Sequence, residues 1–184
     1  TLERRYSGSI DVPLCAHGIA HAQESAAALR TEQPELYAEI RRVYVSPLLR
    51  CQQTARIFFP AAELITVPDL REINFGIFEG HTAAELSACA ELSAVYQSWI
   101  DSYCELPIPN GESKSAFCTR VQASFRTILK KECKTDTIAV VAHGGTNMAL
   151  LEVFAAERKS YWEWDMQAAE WRIVPVLTAV HNGE

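Results

Sequence analysis

Along the chain, short apolar β-branched runs alternate with longer segments in which apolar residues recur at helical spacing. That alternation predicts an α/β domain: a mostly parallel sheet with helices packed on both faces, three layers in all. An alanine-rich stretch from His17 to Arg30 reads as a helix that ends before Pro34. Val43-Tyr44-Val45 reads as a short strand. Ser46-Pro47 follows as a helix start, because serine is a good N-cap and proline is harmless at the first helical position. That helix runs to about Phe58, ahead of Pro60, and Leu64 to Val67 forms a second strand.

The stretch 70–80 carries two glycines, breaks the periodicity and reads as a loop. Thr82 and Glu85 have the spacing of a capping box. Leu86, Cys89, Tyr96, Ile100 and Tyr103 behind them fall on one stripe of a single predicted helix. Leu106 to Gly111 is a turn-rich connection, and Phe117, Val121, Phe125, Ile128 and Leu129 then mark a clear amphipathic helix. Ile138 to Ala142 is continuously apolar, as expected of a strand covered on both faces. Gly144-Gly145 ends it, and a helix follows to about Ala156. Trp171, Ile173 and Val174 begin a last strand segment, with Trp171 expected in the core. Neither a repeat nor a linker divides residues 1–184, so they read as a single domain.

Composition narrows the function classes. Hydrophobic residues make up 48% and charged residues 22%, which fits an ordinary globular chain and excludes disorder. No stretch approaches ~18 uncharged apolar residues, so no helical membrane span is expected. The net charge of −6 argues against a broad nucleic-acid or anionic-membrane surface, yet leaves room for a local arginine pocket. The six cysteines are scattered without a CxxC pair, which predicts free thiols and a cytoplasmic location.

Four groups of residues could carry chemistry. The apolar run 138–142 delivers His143 at its carboxyl end, and Gly144-Gly145 lets a helix N-terminus point back at it. By placement alone the ring serves equally well as an anion-facing group or as a buried structural histidine. Arg50 lies in the first part of the helix after Val43–Val45, where its guanidinium can join the terminal amides in a phosphate receptor. Taken singly it fits a solvated surface arginine better. Glu72 sits among apolar and aromatic neighbours, a setting that raises a carboxyl pKa and suits a general acid; in isolation it reads as an ordinary loop carboxylate. Cys15, His17 and His21 have partial zinc-ligand spacing, but no fourth ligand is evident, so no metal is expected there. Trp162, Trp164 and Trp171 could line a ligand pocket; aromatics near a chain's end more often pack under the last strand, which is the reading preferred for Trp171.

Five segments, taken in order, resemble the histidine phosphatase superfamily, which includes the cofactor-dependent phosphoglycerate mutases. They are Arg5-Tyr6-Ser7-Gly8 with Asp11-Val12-Pro13-Leu14, Ser46-Pro47-Leu48-Leu49-Arg50 with Gln53-Thr54-Ala55, Leu70-Arg71-Glu72 with Phe75-Gly76 and Glu79-Gly80, Gly111-Glu112-Ser113, and Val141-Ala142-His143-Gly144-Gly145. The resemblance implies a phosphoglycerate mutase-like α/β/α fold. It also implies that Arg50, Glu72 and His143 are catalytic, that Arg5, Ser7, Gly8 and Gly144 contact substrate, and that neither cofactor nor metal is used. The family's first strand ends in Arg-His-Gly, whose histidine becomes phosphorylated. The 184 residues begin at Thr1 and contain no Arg-His-Gly. The expectation is that a strand bearing the nucleophile precedes this sequence, and that residues 1–184 would be inactive without it.

In the implied reaction that histidine attacks phosphorus. Arg50 and His143 hold the phosphoryl oxygens, while Glu72 protonates the leaving oxygen and then serves as base for water. The chain's shortness resembles the small phosphatases, including α-ribazole-5′-phosphate phosphatase, acting on a small phosphorylated metabolite. Phosphoglycerate mutase-type transfer and a non-catalytic phosphoester-binding pseudophosphatase are the alternatives, with a homodimer left open.

Overall fold

The computed structural model describes residues 4–133 and 136–176. Helices α1 (Ala16–Glu32) and α2 (Pro34–Glu39) precede strand β1 (Arg42–Val45), helix α3 (Leu49–Phe58) and strand β2 (Glu63–Thr66). Helices α4 (Ala83–Ala88), α5 (Ser93–Asp101) and α6 (Lys114–Leu129) come next, then strand β3 (Ala139–Val141) and helix α7 (Gly144–Phe154). The three strands are parallel, in the order β2-β1-β3, with Val43 opposite both Leu64 and Ala139.

The pleat of β1 builds the layers, because successive side chains face opposite sides of the sheet. Val43 and Val45 are buried with Ala22, Ala26, Leu29, Ala55 and Phe58 of α1 and α3. Tyr44 points the other way, into Phe117, Val121 and Phe125 of α6 and Leu150 and Phe154 of α7. A third cluster of Phe78, Leu86, Tyr96, Trp99 and Ile108 caps one end and receives the ring of Tyr6. The fold is therefore the expected three-layer α/β/α arrangement.

Several elements differ from the sequence reading. Helix α3 begins at Leu49 rather than Pro47, and Ser46 is not its cap. The carboxylate of Asp11 instead accepts from the Leu49 N–H at 2.6 Å. The capping box of Thr82 and Glu85 is present, but its helix stops at Ala88. A turn through Cys89–Leu92 resets the helical phase, so α5 buries Tyr96 and Trp99 and leaves Ile100 40% and Tyr103 78% exposed. The expected single stripe runs across that turn and fails there. The 138–142 segment is half-buried, not fully covered. One edge of β3 pairs with β1; among the described residues no strand pairs with the other. A cavity of about 1770 Å³ borders it, lined by Val140, Leu150 and Phe154 among others.

Near the C-terminus, residues 171–176 form only an isolated antiparallel bridge from Val176 to Ala155, and Ile173 is 45% exposed. The remainder of the expected last strand lies outside the described residues. Trp164 is buried, Trp171 is half-buried against the α1–α3 cluster, and Trp162 is exposed.

Candidate active site

His143 leaves the end of β3 as the N-cap residue of α7, with its ring 8% exposed. Ser46, at the parallel exit of neighbouring β1, places its hydroxyl 2.7 Å from Nε2. Arg50 donates Nε–H to Nδ1 at 3.3 Å. The parallel sheet makes this possible, since β1 and β3 end at the same edge and deliver their loops together. Burial lowers the His143 pKa from 6.5 to about 3, and the Arg50 and Arg120 charges push it the same way. The ring is thus neutral near pH 7.

Arg50 also turns its guanidinium onto the N-terminal loop. Nη1 donates to Ile10 O at 2.8 Å, and Nη2 donates to Ser7 O at 2.8 Å and Gly8 O at 3.0 Å. Leu14 N–H to Gln53 Oε1, at 2.7 Å, fixes the same loop to α3. Glu79 holds it from the other side, accepting from Ser9 N at 2.7 Å and from Phe75 N at 3.1 Å. Gly8 lies so close beneath Ile73 that a Cβ there would stand 1.8 Å from the Ile73 carbonyl oxygen. Only glycine fits without moving backbone.

Glu72 projects from the 70–80 loop to the start of α7. Its carboxylate accepts from Ile73 N at 3.0 Å and from Gly145 N at 3.1 Å. Burial raises its pKa, while those two amides and the Arg50 and Arg120 charges pull against the shift. A Cβ on Gly145 would come within 2.6 Å of Glu72 Oε1 and 3.1 Å of the Tyr161 hydroxyl, so glycine is required for this approach. Arg50, Glu72, His143 and Gly144 all line the large cavity. Three residues far apart in sequence are thereby brought to one place.

The other expected contacts are arranged differently. Arg5 lines the cavity but forms a two-point ion pair with Glu85, at 2.7 and 3.0 Å, and donates to Gly80 O. Ser7 offers its carbonyl to Arg50, and its hydroxyl donates to Arg5 O. Gly144 is exposed, and a Cβ there would meet nothing within 4 Å. Cys15 caps α1 through Sγ, and the exposed His17 and His21 rings stack 6.4 Å apart. Among the described residues no group of three or more His, Cys, Asp or Glu is placed to hold a metal ion.

Sequence reasoning missed Arg120 and gave Glu112, part of the Gly111-Glu112-Ser113 segment, no role. Arg120 on α6 donates to the carbonyls of Asp69, Arg71 and Glu72 and pairs with Glu112 at 2.7 Å. Glu112 in turn accepts from Asn74 N at 3.0 Å. Burial pushes the Glu112 carboxyl up, but Arg120 and the Asn74 amide bring it below its ordinary value. Together they clamp the backbone that carries Glu72. A polar residue on the otherwise apolar stripe side of α6, one turn past Phe117, was the available signal. Ser46 stood out in the sequence for capping rather than for its bond to His143.

Known proteins share this fold. A putative α-ribazole-5′-phosphate phosphatase from Escherichia coli K-12 superposes with a TM-score of 0.73 at 26% identity, covering 91% of this chain and 80% of that one. A phosphoglycerate mutase from Thermus thermophilus superposes with a TM-score of 0.60 at 29% identity, covering 85% and 78%. A probable phosphoglycerate mutase of Proteus mirabilis is 35% identical over 128 residues, 68% of this chain. The chain spans 56% of that relative's length. Residues 1–178 match the histidine phosphatase superfamily (branch 1). With the parallel edge carrying His143 and Arg50 and the loop carrying Glu72, that match makes the chain a member of the histidine phosphatase superfamily.

Proposed function

We propose that the natural protein is a metal-independent phosphomonoesterase for small phosphorylated metabolites, working through a phosphohistidine, with α-ribazole 5′-phosphate as its candidate substrate. The observation that carries this reading is the shared location of Arg50, His143 and a buried, protonatable Glu72 on one cavity. Arg50 neutralises phosphoryl charge, which requires its Nη groups to exchange the Ser7, Gly8 and Ile10 carbonyls for phosphate oxygens. Glu72 donates its proton to the leaving oxygen and afterwards accepts one from the attacking water. The nucleophilic histidine belongs to the Arg-His-Gly motif that the 184 residues do not contain. We place it on a strand N-terminal to Tyr6. The edge of β3 that no strand pairs with among the described residues, and the apolar cavity beside it with Arg4 to Ser7 at its wall, support that position. The likeness to two α-ribazole phosphatases, from Escherichia coli and Shigella flexneri, supports the substrate class.

The names of the curated relatives favour a second reading, phosphoglycerate mutase-type transfer. One assay separates the readings: full-length protein with chelator present, offered α-ribazole 5′-phosphate, p-nitrophenyl phosphate and 3-phosphoglycerate. Release of inorganic phosphate from the first two is expected. Isomerisation of 3-phosphoglycerate without phosphate release would instead establish the mutase. Binding without turnover of any of them would mark a pseudophosphatase and contradict both.

A further inference from the structure

Ser46 and His143 are a buried polar pair at the neighbouring exits of β1 and β3. Ser46 is 0% exposed, and its Oγ lies 2.7 Å from Nε2 of His143 and accepts from Leu48 N at 3.3 Å. The Cys51 sulfur, whose pKa the Ser46 hydroxyl lowers, lies 3.5 Å from Nδ1 and 3.5 Å from Nε2, so it favours neither ring nitrogen. Cys51 donates its own S–H to Ala142 O at 3.2 Å, and burial pushes its thiol pKa up to about 12, so it stays a thiol. On the far side of the ring, the Arg50 Nε–H faces Nδ1 at 3.3 Å. Arginine is always a donor, so Nδ1 must be the acceptor. A neutral imidazole with an acceptor Nδ1 carries its proton on Nε2. Ser46 Oγ is there to receive it. The opposite tautomer would set two N–H groups against each other at Arg50.

We propose that Ser46 is a positioning residue that holds His143 as the Nε2–H tautomer, so that the ring's one basic nitrogen, Nδ1, faces Arg50 and takes up a proton only when an anion arrives between them. An oxyanion beside Arg50 would meet the Nδ1 lone pair, which repels it. Protonation of Nδ1 from solvent turns that lone pair into a donor. The imidazolium then gives Nδ1–H to the anion and keeps Nε2–H on Ser46. Without an anion the same proton would face the Arg50 Nε–H directly. Among the described residues, the groups that bear on the ring are Arg50 and Cys51 from α3, Ser46 from the β1 exit and Arg120 from α6; Glu72, from the 70–80 loop, acts on Cys51. The two guanidinium groups oppose the charge, which is why an anion is needed to hold it. The anion-linked step rests on the proposed phosphoryl site; the tautomer does not.

Nitrogen-15 NMR of full-length protein labelled at histidine reads the ring directly. Near pH 7 the expected pattern for His143 is pyridine-type Nδ1 and pyrrole-type Nε2. Titration with inorganic phosphate should convert Nδ1 to the protonated type while Nε2 is unchanged. Ser46→Ala should yield a mixture of tautomers and lower kcat by about 10- to 100-fold, the usual reach of a partner one shell removed. Ser46→Thr should restore the single tautomer. A wild-type ring protonated at Nδ1 without phosphate would overturn the inference, with no variant needed. So would a Ser46→Ala ring indistinguishable from wild type, or phosphate that moves the Arg50 Nε signal and leaves Nδ1 unprotonated. If phosphate perturbs neither Arg50 nor His143, the proposed phosphoryl site fails, and with it the anion-linked step. The tautomer is still decided by the phosphate-free spectrum.

Discussion

His143 is held neutral by burial first, then by Arg50 and Arg120, and the resulting pKa of about 3 has a consequence for stability. In the unfolded chain the ring gains a proton below about 6.5; in the folded protein it does not until about 3. The unfolded state therefore binds more protons in that window, and stability falls as pH drops through it. Glu72 acts with the opposite sign: its raised pKa contributes stability at low pH that is lost as pH rises through the folded value. Comparison with His143→Asn isolates the histidine's share. The variant's urea midpoint should lie below wild type near pH 7, and the gap should narrow as pH falls toward about 4. A gap that stays constant would mean that the ring is not held neutral. At this scale placement alone left His143 undecided and favoured ordinary surface roles for Arg50 and Glu72; the ordered resemblance of five segments singled them out together, and the structure brings them to one cavity. The sequence was misleading about Ser46. Serine before proline has the look of an N-cap, and nothing local reveals that a histidine 97 positions away takes its hydroxyl.

Among the elements, α6 does more than bury its apolar stripe. Arg120 reaches from it to the carbonyls of Asp69, Arg71 and Glu72 and to Glu112, so one guanidinium ties the start of the 70–80 loop to the helix. Arg120→Met would leave the half-buried Glu112 with only the longer 3.8 Å contact to Arg71, and would remove one donor from the carbonyls of Asp69, Arg71 and Glu72. A loss of about 3 kcal/mol in denaturant unfolding is expected, together with a lower kcat through displaced Glu72. Arg120→Lys should recover only part, since an ammonium cannot span the same acceptors. A variant with wild-type stability would show that the loop is held by other contacts. The α6 stripe was readable because it is long and unbroken. The stripe over 86–103 was not, because four residues at Cys89–Leu92 interrupt it and spacing counted across a turn carries no phase. The short β3 was found through its apolar run, but its lack of a second partner among the described residues could not be, because pairing is a property of the partner strand.

Across the whole molecule, the alternation of strand and helix signals translated directly into layers, since each residue of β1 chooses one face or the other. The same parallel sheet gathers Ser46, Arg50 and His143 at one edge, and the 70–80 loop brings Glu72 to the start of α7 beside them. In the proposed function this assembly transfers phosphoryl groups with Glu72 as the proton donor. Leaving-group dependence tests it most directly, measured on full-length protein as kcat/KM of wild type and Glu72→Gln over a series of phosphomonoesters. With alkyl phosphates, whose leaving oxygen needs a proton, the variant should lose at least about 100-fold. With p-nitrophenyl phosphate, whose leaving group departs unaided, the loss should be about tenfold or less. An equal loss across the series would contradict the assignment of Glu72 as the acid.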